Sequence, residues 1–365
     1  MTTNTLFEPH WASPPHITIR RIVAEKGWTV DELSDHLGIG DPATRRLITG
    51  EQTINSEVAE LLSSVLGGTS RFWLQREEQY QESCNALTAD ALVQKLPMTQ
   101  MIQFGWVDTN DSWRQQADLV LNFFGVEEAE NCESRVRHSL EEARYRTSAS
   151  YDSNDFALAA WLRKAELLAL ERNVDGWNPQ RLVDSLSSLR ELTKKADPAV
   201  FIPRLEEIAA TAGLVVVTLR SLEGCRVSGV TFKAANGVPV IALSARHLSD
   251  DHYWFTLFHE VGHLVCHGSD NTFIDNFDDS DEDASAVEQE ANAYAQQLLL
   301  PRGFSGLNIN KPGGPTHREV AAFASHIGIA PGLVVGQLQH QGVVARNRLN
   351  RLKRRYRWDG LTLRI

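Results

Sequence analysis

One pentapeptide, His259-Glu260-Val261-Gly262-His263, limits the folds open to this chain more than any other stretch. Thr256-Leu257-Phe258 precede it and Leu264-Val265 follow it, which is the apolar periodicity of a buried helix. On a helix, residues four apart stand one above the other, so two imidazoles can reach one metal ion. Glu260, offset by one residue, is set beside that ion to accept a proton from bound water. Catalytic zinc takes three protein ligands and keeps a fourth position open, so a further ligand has to come from elsewhere. His267 is a poor source, because on an unbroken helix it lies about 12 Å along the axis from His259. It is better explained, with Gly268, as a basic helix C-terminus. The next helical pattern, 284–300, ends at Pro301 and runs its apolar face through Val287, Ala291, Tyr294, Ala295 and Leu298. Glu288 and Glu290 flank that face from opposite sides at similar angles, and the helical wheel alone does not choose between them. Gln289 points away.

The chain has 365 residues, 42% hydrophobic and 23% charged, which is ordinary for two or three globular domains with ample core. Disordered, collagen-like and disulfide-stapled classes are excluded. No window approaches 18 uninterrupted apolar residues, so no transmembrane helix and no membrane partner are expected. The segment from Met1 to Pro15 is polar and lacks the apolar core of a secretory signal. Cys84, Cys132, Cys225 and Cys266 are scattered without a CxxC pair, as suits a reducing compartment. A cytoplasmic protein is expected. The net charge of −11 is unevenly spread. Nine acidic residues and no Lys or Arg fall between Asp270 and Leu300, whereas seven of the twelve residues Arg346–Arg357 are basic. The expected roles are an acidic lid beside the site and a basic C-terminal tail that touches nucleic acid or the acidic loop; simple solvated faces are the plainer reading.

The patterning divides the chain at 1–83, 84–200 and 201–365, and the expected class is α+β, mostly helical. Residues 17–83 read as five short helices, with a Thr29/Glu32 capping box, a stop at Gly38, and Pro42 opening a third helix that ends at Gly50. Residues 84–200 read as a helical scaffold without a chemical motif, with clear periodicity over 156–172 and 178–195. The remainder mixes strands and helices. Leu214–Leu219 is a β-branched run, and Asn236-Gly237 joins the runs 226–233 and 238–243 as a hairpin.

FTLFHEVGHLVCHG followed by VEQEANAYAQQLLLP resembles the ImmA/IrrE family of bacterial zinc metallopeptidases, whose pattern pairs HExxH with an E-A-N-x-(F/Y)-A-x-x-L-L-x-P helix. The resemblance covers roughly 214–338 and implies a gluzincin-like site with bound Zn2+. His259, His263 and Glu290, the Glu before Ala-Asn, would be its ligands and Glu260 its general base. It further implies a protein substrate, a helix-turn-helix repressor or antitoxin or the chain itself, whose cleavage controls a stress, phage-defence or mobile-element operon. Cys225, just ahead of the first hairpin strand, would close zinc's open position as an inhibitory thiolate or pack as a small buried residue.

GWTVDELSDHLGI, the 50–54 turn and LGGTSRFWLQREEQY resemble the helix-turn-helix of the xenobiotic-response-element type, its HigA antitoxin branch above all. That resemblance implies a third helix presenting Thr44, Arg45 and Arg46 to the DNA major groove, and a homodimer. From Ile17 to Glu78, however, seven basic residues face ten acidic ones, and phosphate neutralisation supplies most of the affinity for DNA. A dimerisation or partner-docking module is therefore the competing expectation. Two whole-chain functions follow: a site-specific metalloendopeptidase with a fused regulatory domain, or an antitoxin-like transcriptional regulator whose peptidase fold acts as a sensor.

Overall fold

The computed structural model describes residues 8–110, 112–132, 134–135, 155–269, 272–275 and 286–365. The acidic residues between 276 and 285, and with them most of the expected lid, lie outside the described residues. The architecture is α+β and mostly helical. Among the described residues no single helix is long and apolar enough to cross a membrane.

The chain packs as two units, one of residues 1–95 with 107–133, the other of 96–106 with 134–365. The first opens with α1 (Pro15–Glu25), α2 (Val30–Leu37), α3 (Asp41–Thr49) and α4 (Ser56–Leu66). Thr29 and Glu32 make the expected capping box at the start of α2, and Gly38 ends it in the left-handed region at φ 68°. Ile19, Leu33, Leu37, Leu47, Leu62 and Trp73 form the buried centre. The fifth helix, α5 (Ser70–Val93), does not stop near residue 83. No Gly or Pro interrupts the chain between Thr69 and Pro97, so nothing breaks the helix, and the boundary expected at 83 falls inside it. Helix α6 (Met98–Gln103) belongs to the second unit, and α7 (Trp113–Phe124) packs on α5 in the first. The scaffold region is thus divided between the two units.

In the second unit, α8 (Asp155–Leu170), α9 (Pro179–Leu192) and α10 (Pro198–Thr211) lead into a four-stranded sheet. Its strands are β1 (Val215–Thr218), β2 (Gly229–Lys233), β3 (Pro239–Leu243) and β4 (Phe273–Asp275), in the order β1-β3-β2-β4. β1 pairs parallel with β3, and β2 pairs antiparallel with both β3 and β4. The hairpin turn falls at Asn236-Gly237, where Gly237 has φ 82°, a conformation that costs glycine little. The motif-bearing helix α11 (Asp250–His267) packs against β2, β3 and β4 and against α12 (Ala286–Leu299). Helices α13 (His317–Ile327) and α14 (Pro331–His340) complete the core, followed by the strand pair β5 (Arg357–Asp359) and β6 (Thr362–Arg364).

The basic stretch 346–357 is not a tail. Arg354 donates to the carbonyls of Thr193, Lys194 and Lys195 just beyond α9, where a cation suits a helix C-terminus. Lys353 is buried beside Asp251 at 2.5 Å. The backbone N–H of Tyr356 donates to Leu248 O, and Ser249 bridges to Arg355. Much of the local charge is therefore used within the fold.

Candidate metal centre

The helix that carries His259 and His263 is buried along nearly its whole length, and His259, Glu260 and His263 each have no exposed surface. Burying polar groups this completely is costly unless each is partnered or holds an ion. Two features let α11 sit so deep. On β2, Gly229 leaves a space that a Cβ would fill at 2.5 Å from Thr256 Cγ2 and 2.6 Å from Glu260 Oε1. On α11 itself, Gly262 meets α12 so closely that a Cβ would lie 3.1 Å from Ala291 Cα.

This close approach brings one carboxylate of α12 onto the two imidazoles. Glu288 Oε2 lies 3.1 Å from His259 Nε2 and 3.5 Å from His263 Nε2, and the two ring nitrogens are 3.0 Å apart. These atoms form a group able to hold a metal ion. Glu290 takes no part in it. Its side chain is 66% exposed and faces His267 at 3.7 Å, so the ligand set implied by the resemblance, with Glu290 as third member, is not the set the fold assembles. The reason is helical geometry. Glu288 and Asn292, four residues apart, share the stripe of α12 that faces α11, while Glu290 is turned about 200° from Glu288. His267 is not part of the group either; its Nε2 lies 3.3 Å from Val287 O.

The donor chemistry of the trio fits a cation. His259 Nδ1 lies 3.0 Å from Asn292 Oδ1; with Nδ1 as the donor, the Nε2 lone pair of that ring faces Glu288. Burial acts to raise the Glu288 carboxyl, but His259 and His263 outweigh it and hold it at about 2. Burial also lowers the His263 imidazole, with His259 acting the same way and Glu288 against it, so its neutral form is favoured. Acceptor atoms at these separations repel unless a cation lies among them. In a tetrahedral shell with zinc–nitrogen bonds near 2.0–2.1 Å, neighbouring ligands are about 3.3 Å apart, and the observed spacings bracket that value. Phe273 on β4 stacks on the His263 ring at 4.2 Å and 10°, which fixes its plane.

Glu260 lies against β2. Thr231, two residues beyond Gly229 and so on the same face of β2, donates its hydroxyl to Glu260 Oε2 at 2.6 Å. Thr231, Asn292 and Phe273 escape sequence reasoning because strand partners and second-helix partners follow from register. Glu288 and Asn292 did leave a trace: an i, i+4 polar pair opposite the i, i+4 histidines.

Cys225 is buried and does not join the His–His–Glu group. Burial pushes its thiol up to about 12, which favours the protonated form. The residues expected to read DNA lie on α3. Thr44 is fully buried and donates to Gly40 O at 3.1 Å. Arg45 is held by Asp41 at 3.0 Å and Asp31 at 3.4 Å. Arg46 is exposed. Only one of the three offers an uncommitted surface charge.

No curated protein and no solved structure matches the chain. Residues 212–310, which span the sheet, the motif helix and the helix that supplies Glu288, match the family model of Peptidase_M78, the IrrE N-terminal-like domain, and this part of the chain is a peptidase-type domain.

Proposed function

We propose that the second unit is a zinc-dependent site-specific endopeptidase that cleaves a helix-turn-helix repressor or antitoxin. The observation that carries this reading is the convergence of His259, His263 and Glu288 beside a buried Glu260. His259, His263 and Glu288 would hold zinc, which would supply Lewis acidity toward the peptide carbonyl and toward water. The remaining work falls to side chains. Asn292 fixes the tautomer of His259, an outer partner that orients a ligand ring. Thr231 holds one oxygen of Glu260 through a charge-assisted hydrogen bond. The Glu260 carboxylate takes the proton of the attacking water and returns it to the leaving amine nitrogen, completing hydrolysis.

The N-terminal bundle, in this reading, docks the protein substrate. Its α2 and α3 are joined by three residues containing two glycines, the short connection of helix-turn-helix pairs. The inward Thr44 and the self-paired Arg45 favour a protein partner over DNA. Co-expression with a candidate repressor tests the proposal. The wild-type chain yields discrete fragments, and the Glu260→Gln chain yields none while keeping its metal. Operator binding with no cleavage of the repressor would instead support the regulator reading.

A further inference from the structure

Lys353 and Arg354 are engaged by Asp251 and by the carbonyls beyond α9. After them the chain runs extended through Arg355, Tyr356 and Arg357 into β5. Side chains alternate along such a segment. Tyr356 is 5% exposed and packs against Phe201 and Tyr253, so Arg355 and Arg357 share the opposite, exposed face. The alternation continues into the strand pair. Trp358 and Leu363, directly opposite each other, lie on the core, while Arg357 and Arg364, the neighbouring pair, stand outward. Three guanidinium groups thus share one face of the hairpin.

That arrangement is unfavourable by itself. Like charges directly opposite each other on paired strands destabilise the pair, and Arg357 is in register with Arg364. Among the described residues, none of the three arginines is ion-paired with an Asp or Glu side chain. Arg357 donates one N–H to Ile365 O, which leaves most of its five donors for another acceptor. The carboxylate of the strand pair, Asp359, is exposed at the turn end of β5. An anion that bridges the arginines removes the repulsion, and the chain as a whole, at a net charge of −11, concentrates few of its cations so closely.

The face also indicates the kind of anion. Arg355 and Arg357 are about 6.7 Å apart along the strand, and Arg364 is about 5 Å across from Arg357. The other positions on this face of the hairpin are Asp359 and Thr362, so no apolar side chain interrupts it. Protein interfaces centre on apolar and aromatic residues, whereas a nucleic-acid backbone is held by cations and N–H donors alone. We propose that this face binds the phosphate backbone of a nucleic-acid duplex, one phosphate to each of Arg355, Arg357 and Arg364. Guanidinium groups meet phosphate oxygens at two points. Because the contacts are to phosphates, binding is independent of base sequence. The proposal does not rest on the peptidase reading.

Fluorescence anisotropy of the full chain with labelled DNA and RNA duplexes of about 20 base pairs, from about 50 to about 200 mM salt, tests it. Three phosphate contacts predict a slope of about −2.7 in log K against log salt on DNA, a loss of about 40-fold over that range. Binding of either duplex with a slope of this size supports the proposal, and the tighter one identifies the source of the phosphates. The Arg355→Gln/Arg357→Gln/Arg364→Gln chain should lose most of the slope and at least about tenfold in affinity at the lowest salt. The matching triple Arg→Lys chain should keep the slope, since a point charge still meets each phosphate. Thr362→Glu leaves every arginine in place and adds a carboxylate to the same exposed face; it should weaken binding at least about threefold. Arg46→Gln, on α3, should change nothing. No complex with either duplex at the lowest salt overturns the proposal. So does a slope that survives the triple Arg→Gln change or disappears with Arg46→Gln. Tighter binding to phosphatidylserine vesicles or to poly-glutamate than to both duplexes also overturns it.

Discussion

In the second unit, the polar residues of α11 face inward and meet partners on other elements: Glu288 and Asn292 on α12, Thr231 on β2. In the first unit, the polar residues of α3 meet partners close by in sequence: Thr44 its own helix start, Arg45 the carboxylates of Asp41 and Asp31. Both stretches carry side chains that the sequence alone marks for binding. The difference teaches that a motif fixes which side chains share a helix face, while the opposing surface decides whether they assemble a site or neutralise one another.

The sharpest way to break this contrast is Glu260→Gln. Proteolysis should fall by about 10²–10⁴, the usual worth of a positioned general base, with the metal retained. Unchanged cleavage would remove Glu260 from the reaction. Next, Asn292→Ala should weaken metal binding by about 10–100-fold, as loss of an outer partner to a ligand histidine does. Competition with a chelating dye reads this directly.

Gly262→Ala sharpens the same side of the comparison. A methyl 3.1 Å from Ala291 Cα forces α11 and α12 apart, costing about 1–3 kcal/mol by overpacking against a gain of about 1 kcal/mol in helix propensity. Net destabilisation in urea, with weaker metal binding, is expected. A more stable chain with intact metal affinity would show that the contact is not tight. The smallest effect belongs to the first unit. Arg45→Ala should change DNA affinity, measured by fluorescence anisotropy at several salt concentrations, by less than about twofold, because its charge is already met locally. A strong, salt-sensitive complex abolished by that change would place α3 in a DNA interface.

Much of this was legible in the sequence where the signal is local. The capping box at Thr29, the stop at Gly38, the hairpin at Asn236-Gly237 and the end of α12 before Pro301 each depend on residues within a few positions. His259 and His263 were equally plain, since their spacing is a property of one helix. The choice between Glu288 and Glu290 was not. Both flank the apolar face, and only the close approach at Gly262 shows which side meets α11. Likewise the inward turn of Thr44 and the ordering of 346–357 depend on packing: no charge count reveals that Lys353 is buried on Asp251 or that Arg354 closes the end of α9.

The most direct test is zinc content and affinity in two single variants compared with the parent chain. One zinc per chain is expected for the parent and for Glu290→Ala, whose carboxylate is exposed, while Glu288→Ala should lose the ion or hold it at least about tenfold more weakly. Loss of zinc in Glu290→Ala with retention in Glu288→Ala would contradict the centre described above.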